Sequence, residues 1–117
     1  MKNLNKHDFS EQVIKFILTR TNDELGELTI EKITYTLNIS RSYLYERFKI
    51  EKRFTPREFL VMIKMVRSAA LLMEDKRLPV EEVAHKMGFS NLDYFKKVFK
   101  EHFGTTPTRY RKYVRSK

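Results

Sequence analysis

An internal repeat constrains the fold of this chain more than any other feature of its sequence. The 117-residue sequence matches itself at a shift of 50 positions, and then at a shift of 51 after one extra residue. The matched pairs include Leu28 with Leu78, Ile33 with Val83, Leu37 with Met87, Ser40 with Ser90, Phe48-Lys49 with Phe99-Lys100, and Thr55-Pro56 with Thr106-Pro107. Polar residues and prolines recur along with the apolar ones, so the repeat indicates two copies of one structural unit.

Each unit has the pattern of a helix-turn-helix. In the first copy, apolar residues at helical spacing predict two short helices around a turn at 38–40, with Thr29 and Ser40 as N-caps. The second copy predicts the same pair, with Pro79 at the first helical position and Ser90 as the second N-cap. Two short helices joined by a three-residue turn are typical of helix-turn-helix motifs.

A longer helix is predicted between the two units. Thr55 and Glu58 have the spacing of a capping box, and Pro56 suits the first helical position. The helix is expected to continue to about Glu74, a length of roughly 28 Å at 1.5 Å per residue. Its predicted apolar stripe comprises Phe59, Met62, Ile63, Val66, Ala70 and Met73. We also expect Met65 in the core, because methionine fills apolar gaps well.

The predicted fold is all-α, with seven helices in one domain over residues 1–117. A first helix-turn-helix subdomain is expected over 8–55, the linker helix over 56–76 and a second helix-turn-helix subdomain over 77–117. An N-terminal helix capped by Asp8 covers the first unit in this prediction, and a final helix covers the second.

The positive charge is concentrated in two blocks. Lys and Arg number 24 against 15 Asp and Glu, giving a net charge of +9. Residues 41–67 carry +5 and residues 91–117 carry +6, whereas 1–40 and 68–90 each carry −1. Each basic block contains the second helix of a unit. Because Lys and Arg neutralise phosphates, this distribution favours a nucleic-acid partner.

The second helices of the two units present equivalent polar faces. Residues at i, i+3, i+4 and i+7 share one face of a helix. The two faces consist of Ser42, Tyr45, Glu46 and Lys49, and of Asp93, Lys96, Lys97 and Lys100. Most such faces are simply solvated, but two equivalent ones inside the basic blocks favour recognition of the DNA major groove. A stiff linker would place them near the roughly 34 Å repeat of the groove, so an isolated monomer is expected to bind.

Several other classes of protein lose support. The absence of cysteine excludes disulfides and thiolate sites. His7, His85 and His102 lack metal-ligand spacing, and the sequence contains neither a nucleophile elbow nor a glycine-rich phosphate loop. We therefore expect no enzyme, no cofactor and no metal. No apolar stretch approaches 18 residues, so a cytoplasmic protein without a membrane partner is expected.

Specific motifs resemble a known family. In the second unit they are Val83-Ala84, Met87-Gly88-Phe89-Ser90, Tyr94-Phe95, Phe99-Lys100, Gly104, Pro107 and Tyr110-Arg111. Looser matches are Leu37, Ile39-Ser40-Arg41-Ser42-Tyr43-Leu44 and Phe48-Lys49, then Arg67 and Ala69-Ala70-Leu71-Leu72. Through these residues the chain resembles the DNA-binding domain of AraC/XylS bacterial transcription regulators. The resemblance implies a sequence-specific regulator of double-stranded DNA that inserts two helices into successive major-groove segments and activates transcription through RNA polymerase.

The resemblance also implies which residues contact DNA. The base-reading positions fall on Arg41, Ser42, Tyr45, Glu46, Leu92, Asp93, Lys96 and Lys97. The phosphate contacts fall on Ser40, Lys49, Ser90, Asn91 and Arg111. Lys100, on the polar face of the second unit, is a further candidate for a phosphate contact. Arg53 stands where the family usually has glycine, so the backbone there is expected to be strained or differently shaped.

Two alternative functions stay open at this point. One is a protein-interaction module that sequesters another regulator, which the two basic faces disfavour. The other is nonspecific nucleic-acid binding, although the stacking platforms typical of RNA modules are missing. The sequence also fits both a stand-alone regulator and, as the commoner architecture, the C-terminal domain of a longer protein. It identifies neither the operator nor the sign of regulation.

Overall fold

The structure is a computed structural model that describes residues 8–115, with side-chain burial for 9–113. The described residues form eight α-helices and no strand. The helices are α1 (Asp8–Leu18), α2 (Asn22–Glu27), α3 (Ile30–Leu37), α4 (Arg41–Glu51), α5 (Pro56–Glu74), α6 (Val80–Lys86), α7 (Leu92–Phe103) and α8 (Pro107–Arg115). The fold class is therefore as predicted, but the predicted count of seven helices is wrong.

The helix that the sequence pattern missed is α2. It is only six residues long, too short to show apolar periodicity, and Leu25 is its buried residue. A capping box begins it: the Thr21 hydroxyl accepts from the backbone N–H of Glu24 at 3.2 Å, and the Glu24 carboxylate accepts from the backbone N–H of Thr21 at 2.9 Å. The Thr-x-x-Glu spacing was the one sequence signal for this helix.

The long helix α5 lies at the centre of the molecule. The pairs α3–α4 and α6–α7 form the two helix-turn-helix units, and α5 packs against both. Helix α1 covers α4 and α5, while α8 covers α5 and α7. A single cluster of buried apolar side chains runs through both units, and the molecule measures 50 × 25 × 24 Å.

Three predicted N-caps are confirmed. The hydroxyls of Thr29, Ser40 and Thr55 each accept a hydrogen bond from the backbone N–H three residues later, at 3.0 to 3.1 Å. The capping box between Thr55 and Glu58 is complete, with Pro56 in the first turn of α5. These caps satisfy N–H groups that have no partner within the helix, and they fix where α3, α4 and α5 begin.

The prediction that Ser90 caps α7 is wrong. Asn91 caps this helix, and its side-chain oxygen accepts from the backbone N–H of Tyr94 at 2.9 Å. Both turns begin with a left-handed residue, Asn38 at φ 57° and Gly88 at φ 89°. The second turn then contains one extra residue, so the cap moves from Ser90 to Asn91.

Other helix ends also differ from expectation. Pro79 is the N-cap of α6 rather than its first residue. Helix α4 ends in extended backbone at Lys52, with φ −133°. Arg53 has no positive φ in the structure, since Asn38 is the only non-glycine residue with one among the described residues. The first unit therefore ends in a different backbone shape, whereas Gly104 ends α7 in the left-handed conformation at φ 76°.

The apolar stripe predicted for α5 is partly wrong. Phe59 and Ile63 are buried as expected, but Met62 and Val66 are 38% and 49% exposed. Ala70 is also exposed, and Met73 is half-buried. Met65 is fully buried. Because α5 has neighbours on several sides, its buried surface is wider than one stripe and is rotated away from Met62.

A buried carboxylate ties α1 to α4. The Glu51 carboxylate pairs with Arg47 at 2.5 Å and accepts from the backbone N–H of Ser10 at 3.0 Å. Burial opposes this charge, but the hydrogen bonds from Ser10 and Arg47 outweigh it and lower the pKa of Glu51. This stabilisation is present at neutral pH and is lost as the pH falls through that lowered pKa.

The predicted cap Asp8 is the first residue of α1, and its side chain lies outside the described part.

Two cations of α5 satisfy backbone carbonyls of the first unit. The Arg67 guanidinium donates to the Asn22 side-chain oxygen at 2.9 Å and to the Leu18 carbonyl at 3.1 Å. The Lys64 ammonium donates to the Leu28 carbonyl at 3.0 Å. These bonds fasten the ends of α1 and α2 to the central helix.

The two units also meet through backbone. A Cβ atom at Gly26 would lie 2.0 Å from the carbonyl oxygen of Lys86, and one at Gly88 would lie 2.3 Å from the carbonyl oxygen of Gly26. Helix α2 therefore packs directly on the turn between α6 and α7, and only glycine fits at the contact.

We predict that Gly26→Ala destabilises the protein. In an exposed helix this change would stabilise by roughly 0.5–1 kcal/mol. Here the new methyl group meets rigid backbone, so a net loss of about 1–3 kcal/mol in the free energy of unfolding is expected from urea denaturation. Gly104→Ala is the control, because its Cβ would have open space and only the left-handed backbone opposes it. A stabilised Gly26→Ala variant would contradict the backbone contact.

Candidate nucleic-acid interface

The first predicted recognition helix is α4. Leu44 and Phe48 are fully buried in the core of the first unit. The opposite side of the helix therefore faces solvent. All five predicted residues on that side are at least partly accessible: Arg41, Ser42, Glu46 and Lys49 are exposed, and Tyr45 is half-buried. The Arg41 guanidinium lies over the Tyr45 ring, 5.0 Å from its centroid. The structure thus groups these side chains on one open face.

The second predicted recognition helix, α7, has the same construction. Phe95 and Phe99 are fully buried in the second unit. The predicted residues on the other side are exposed at Asp93, Lys96, Lys97 and Lys100, with Leu92 half-buried. Lys97 pairs with Glu101 at 3.7 Å. Both partners are largely exposed, so this pair is weak and leaves Lys97 able to exchange Glu101 for another partner.

Arg111 has a different environment from the other predicted contacts. Its guanidinium donates to the carbonyls of Leu72 at 2.9 Å, Asp75 at 3.0 Å and Leu78 at 2.7 Å. These carbonyls lie at and just beyond the C-terminal end of α5, where the last turn of a helix has free acceptors. Arg111 thus fastens α8 to the end of the linker helix.

A groove beside α4 adds cations that the sequence reasoning did not assign. The groove has a volume of about 610 Å³ and is lined by residues of the α4 face together with Lys52 and Arg53. Lys52 is paired with Glu11 on α1, whereas the Arg53 side chain is exposed. The signal for both residues was the +5 charge of block 41–67.

In the part of the chain that the structure describes, no group of three or more His, Asp or Glu side chains could hold a metal ion. His7 lies outside that part. None of the helices between residues 8 and 115 is long and apolar enough to cross a membrane.

Comparison with known proteins identifies the family. A model of a helix-turn-helix domain matches residues 33–113, which extend from α3 into α8 and include both units. The chain belongs to the AraC-type helix-turn-helix family. Members of this family are DNA-binding regulators of transcription.

Curated AraC-type relatives are regulators of bacterial operons. The Msm operon regulatory protein of Streptococcus mutans is 35% identical over 91 residues, covering 78% of this chain and 32% of that protein. The lactose operon transcription activator of Staphylococcus xylosus is 31% identical over 84 residues, covering 72% of this chain and 30% of that protein. The chain thus spans about a third of the length of these two relatives.

Solved AraC-type structures share the fold. The C-terminal domain of AraT, a response regulator from Geobacillus stearothermophilus, has a TM-score of 0.73 and 29% identity, covering 87% of this chain and 82% of that one. The C-terminal domain of the two-component response regulator yesN from Fusobacterium nucleatum has a TM-score of 0.73 and 26% identity, covering 87% and 96%.

We predict that Arg111→Ala acts on stability. Three carbonyls would lose a charged donor, and such hydrogen bonds are each worth roughly 1.5–3 kcal/mol. The free energy of unfolding, measured by urea denaturation, is expected to fall by at least about 2 kcal/mol. The neighbouring Arg109→Ala is the control, because the Arg109 side chain is exposed. Unchanged stability in Arg111→Ala, with weakened DNA binding, would contradict this structural role.

Proposed function

We propose that this domain is a sequence-specific regulator of double-stranded DNA that places α4 and α7 in successive major-groove segments. One observation carries the proposal: an N-capped helix that is buried on one side and open on the other occurs once in each unit. The B-DNA major groove is about 12 Å wide and admits an α-helix. Both helices pack against the same central helix, α5, so the two open faces are held in a fixed arrangement within one rigid body.

The proposed base-reading residues are those of the two open faces. On α4 they are Arg41, Ser42, Tyr45 and Glu46, and on α7 they are Leu92, Asp93, Lys96 and Lys97. Arg and Lys donate to guanine, acidic side chains accept from cytosine, and an apolar side chain packs on the methyl group of thymine. The two faces differ in composition, so we expect the two DNA segments to differ in sequence.

The proposed phosphate contacts are five further exposed polar residues at these helices: Ser40, Lys49, Ser90, Asn91 and Lys100. They lie at helix N-termini or toward helix C-termini, where side chains at the edge of a groove reach the backbone. Arg111 is left out of this set because its guanidinium is bonded to three carbonyls.

We propose that the isolated domain binds as a monomer. Helix α5 is roughly 28 Å long for its 19 residues. The whole molecule is 50 Å in its longest dimension, which is enough to span the roughly 34 Å between groove segments on one side of DNA. A protein with one such motif would need a dimer to do the same.

We further propose activation of transcription through contact with RNA polymerase. The support is that one relative is a lactose operon transcription activator. The relatives are about three times as long as this chain.

Selection from random-sequence duplexes at near-physiological salt tests the DNA proposal. We expect an asymmetric motif of two blocks about one helical turn apart. A single block would mean that one unit alone reads bases. Absence of enrichment, with binding that disappears as salt rises, would contradict sequence-specific recognition and favour nonspecific binding.

Substitution of two lysines of α7 tests the proposed division between base contacts and phosphate contacts. Lys97→Ala is expected to cost roughly 1–3 kcal/mol on the selected sequence and to relax discrimination at one base step. Lys100→Ala is expected to weaken all sequences alike and to reduce the salt slope by about 1. Both side chains are exposed, so each serves as the matched control for the other in salt-dependent binding titrations. Equal losses across all sequences would contradict the division.

A further inference from the structure

A cleft of about 460 Å³ lies between the two helix-turn-helix units. It reaches the beginning of both proposed recognition helices, at Arg41 of α4 and at Ser90 and Asn91 before α7. Arg57 and Lys64, two turns apart on α5, form another part of its wall. The cleft therefore connects the two DNA-binding faces across the middle of the molecule.

Positive charge dominates this cleft. Three cations line it, Arg41, Arg57 and Lys64, against one carboxylate, that of Glu31. Among the described residues, none of the three cations is paired with a carboxylate. Like charges gathered in one cleft repel each other, and an anion placed among them offsets that repulsion.

Lys64 is the most constrained of these cations. Its side chain belongs to a residue only 9% exposed, and its ammonium donates to the Leu28 carbonyl at 3.0 Å. An ammonium has two further N–H donors. Burial lowers the pKa of Lys64, and the neighbouring positive charge of Arg57 lowers it further. An anion in the cleft would stabilise the charged ammonium and so oppose both effects.

The extra residue of the second turn supplies a further donor. Because Asn91 caps α7, the Ser90 hydroxyl is not used as a cap and has no hydrogen-bond partner among the described residues. It lines the cleft beside the N-terminus of α7, where backbone N–H groups favour an anion. The insertion that separates the two repeats thus places a polar group at this site.

We propose that this cleft binds a phosphate group of the DNA backbone, at the point where the strand passes between the two groove segments. Lys64, Arg57 and Ser90 donate to its oxygens. Protein held in two successive major-groove segments faces the minor groove between them, and phosphates line that groove. The inference rests on the proposed function. It adds an anchor between the two helices, which fixes the spacing of the bases that they read.

The test neutralises single phosphates in the duplex obtained by selection. Methylphosphonate replacement at each position is combined with Arg57→Gln, an exposed residue whose change leaves the core intact. We expect methylphosphonate at one position between the two base blocks to lower the affinity of the wild-type protein several-fold. The same replacement should change the affinity of Arg57→Gln little, because that variant already lacks the donor. The salt slope of Arg57→Gln should fall by up to about 0.9, the contribution of one phosphate.

Arg77→Gln is the matched control, since it removes the same charge from a residue beyond the C-terminal end of α5. That end lies about 15 Å along the helix from Lys64. It should keep the wild-type sensitivity at the central phosphate. Equal sensitivity in wild type and Arg57→Gln, or sensitive phosphates only beside the base blocks, would overturn the proposal. If no duplex is selected at all, the proposed function itself fails and the cleft proposal with it.

Inorganic phosphate distinguishes the source of the anion. At constant ionic strength it should not raise the melting temperature of the free protein more than that of Arg57→Gln, because one free ion lacks the anchoring of the duplex. Selective stabilisation of the wild type, without coupling between Arg57 and the duplex phosphate, would overturn the assignment to DNA and identify a site for a free anion.

Discussion

The burial of α5 between the two units is the interaction on which the rest of the structure depends. Ten of its 19 residues are buried, and its contacts extend to α1 and α2 on one side and to α6, α7 and α8 on the other. A helix exposed between two separate units would allow them to rotate. Here both units share one apolar core, and the glycine contact between α2 and the second turn adds a link that does not pass through α5. The two open helix faces are consequently fixed relative to each other.

The basic residues of this domain have two separate roles. Lys64, Arg67 and Arg111 donate to backbone carbonyls at helix ends, where they hold helices together. Within residues 8–115, by contrast, the cations of the open faces donate to no backbone carbonyl, and Lys97 pairs with the exposed Glu101. A net charge of +9 therefore overstates the charge that is available to DNA. Lys64 belongs to both groups in our account, because it fastens the first unit and also lines the cleft between the units.

Much of this structure follows from the sequence, and the exceptions have physical causes. The repeat predicted both helix pairs, and the caps Thr29, Ser40 and Thr55 predicted where α3, α4 and α5 begin, since capping and periodicity are local. The exposed faces followed from the same periodicity. Helix α2 escaped prediction because six residues are stabilised by tertiary packing more than by their own pattern. The carbonyl partners of Arg111 lie 33 to 39 residues away in sequence, and nothing local indicates that Lys64 is buried. Such long-range pairings require the packed structure.

The proposed function requires that two recognition helices on one rigid body read two groove segments at a fixed separation. It is tested most directly by changing the spacing between the two base blocks of the selected duplex and titrating the purified domain on each variant. Insertion of five base pairs turns the second block to the opposite side of DNA, given 10–10.5 base pairs per turn. We expect the affinity then to fall to that of a duplex with a single block. Equal affinity at every spacing would contradict it, because the two units would then bind independently.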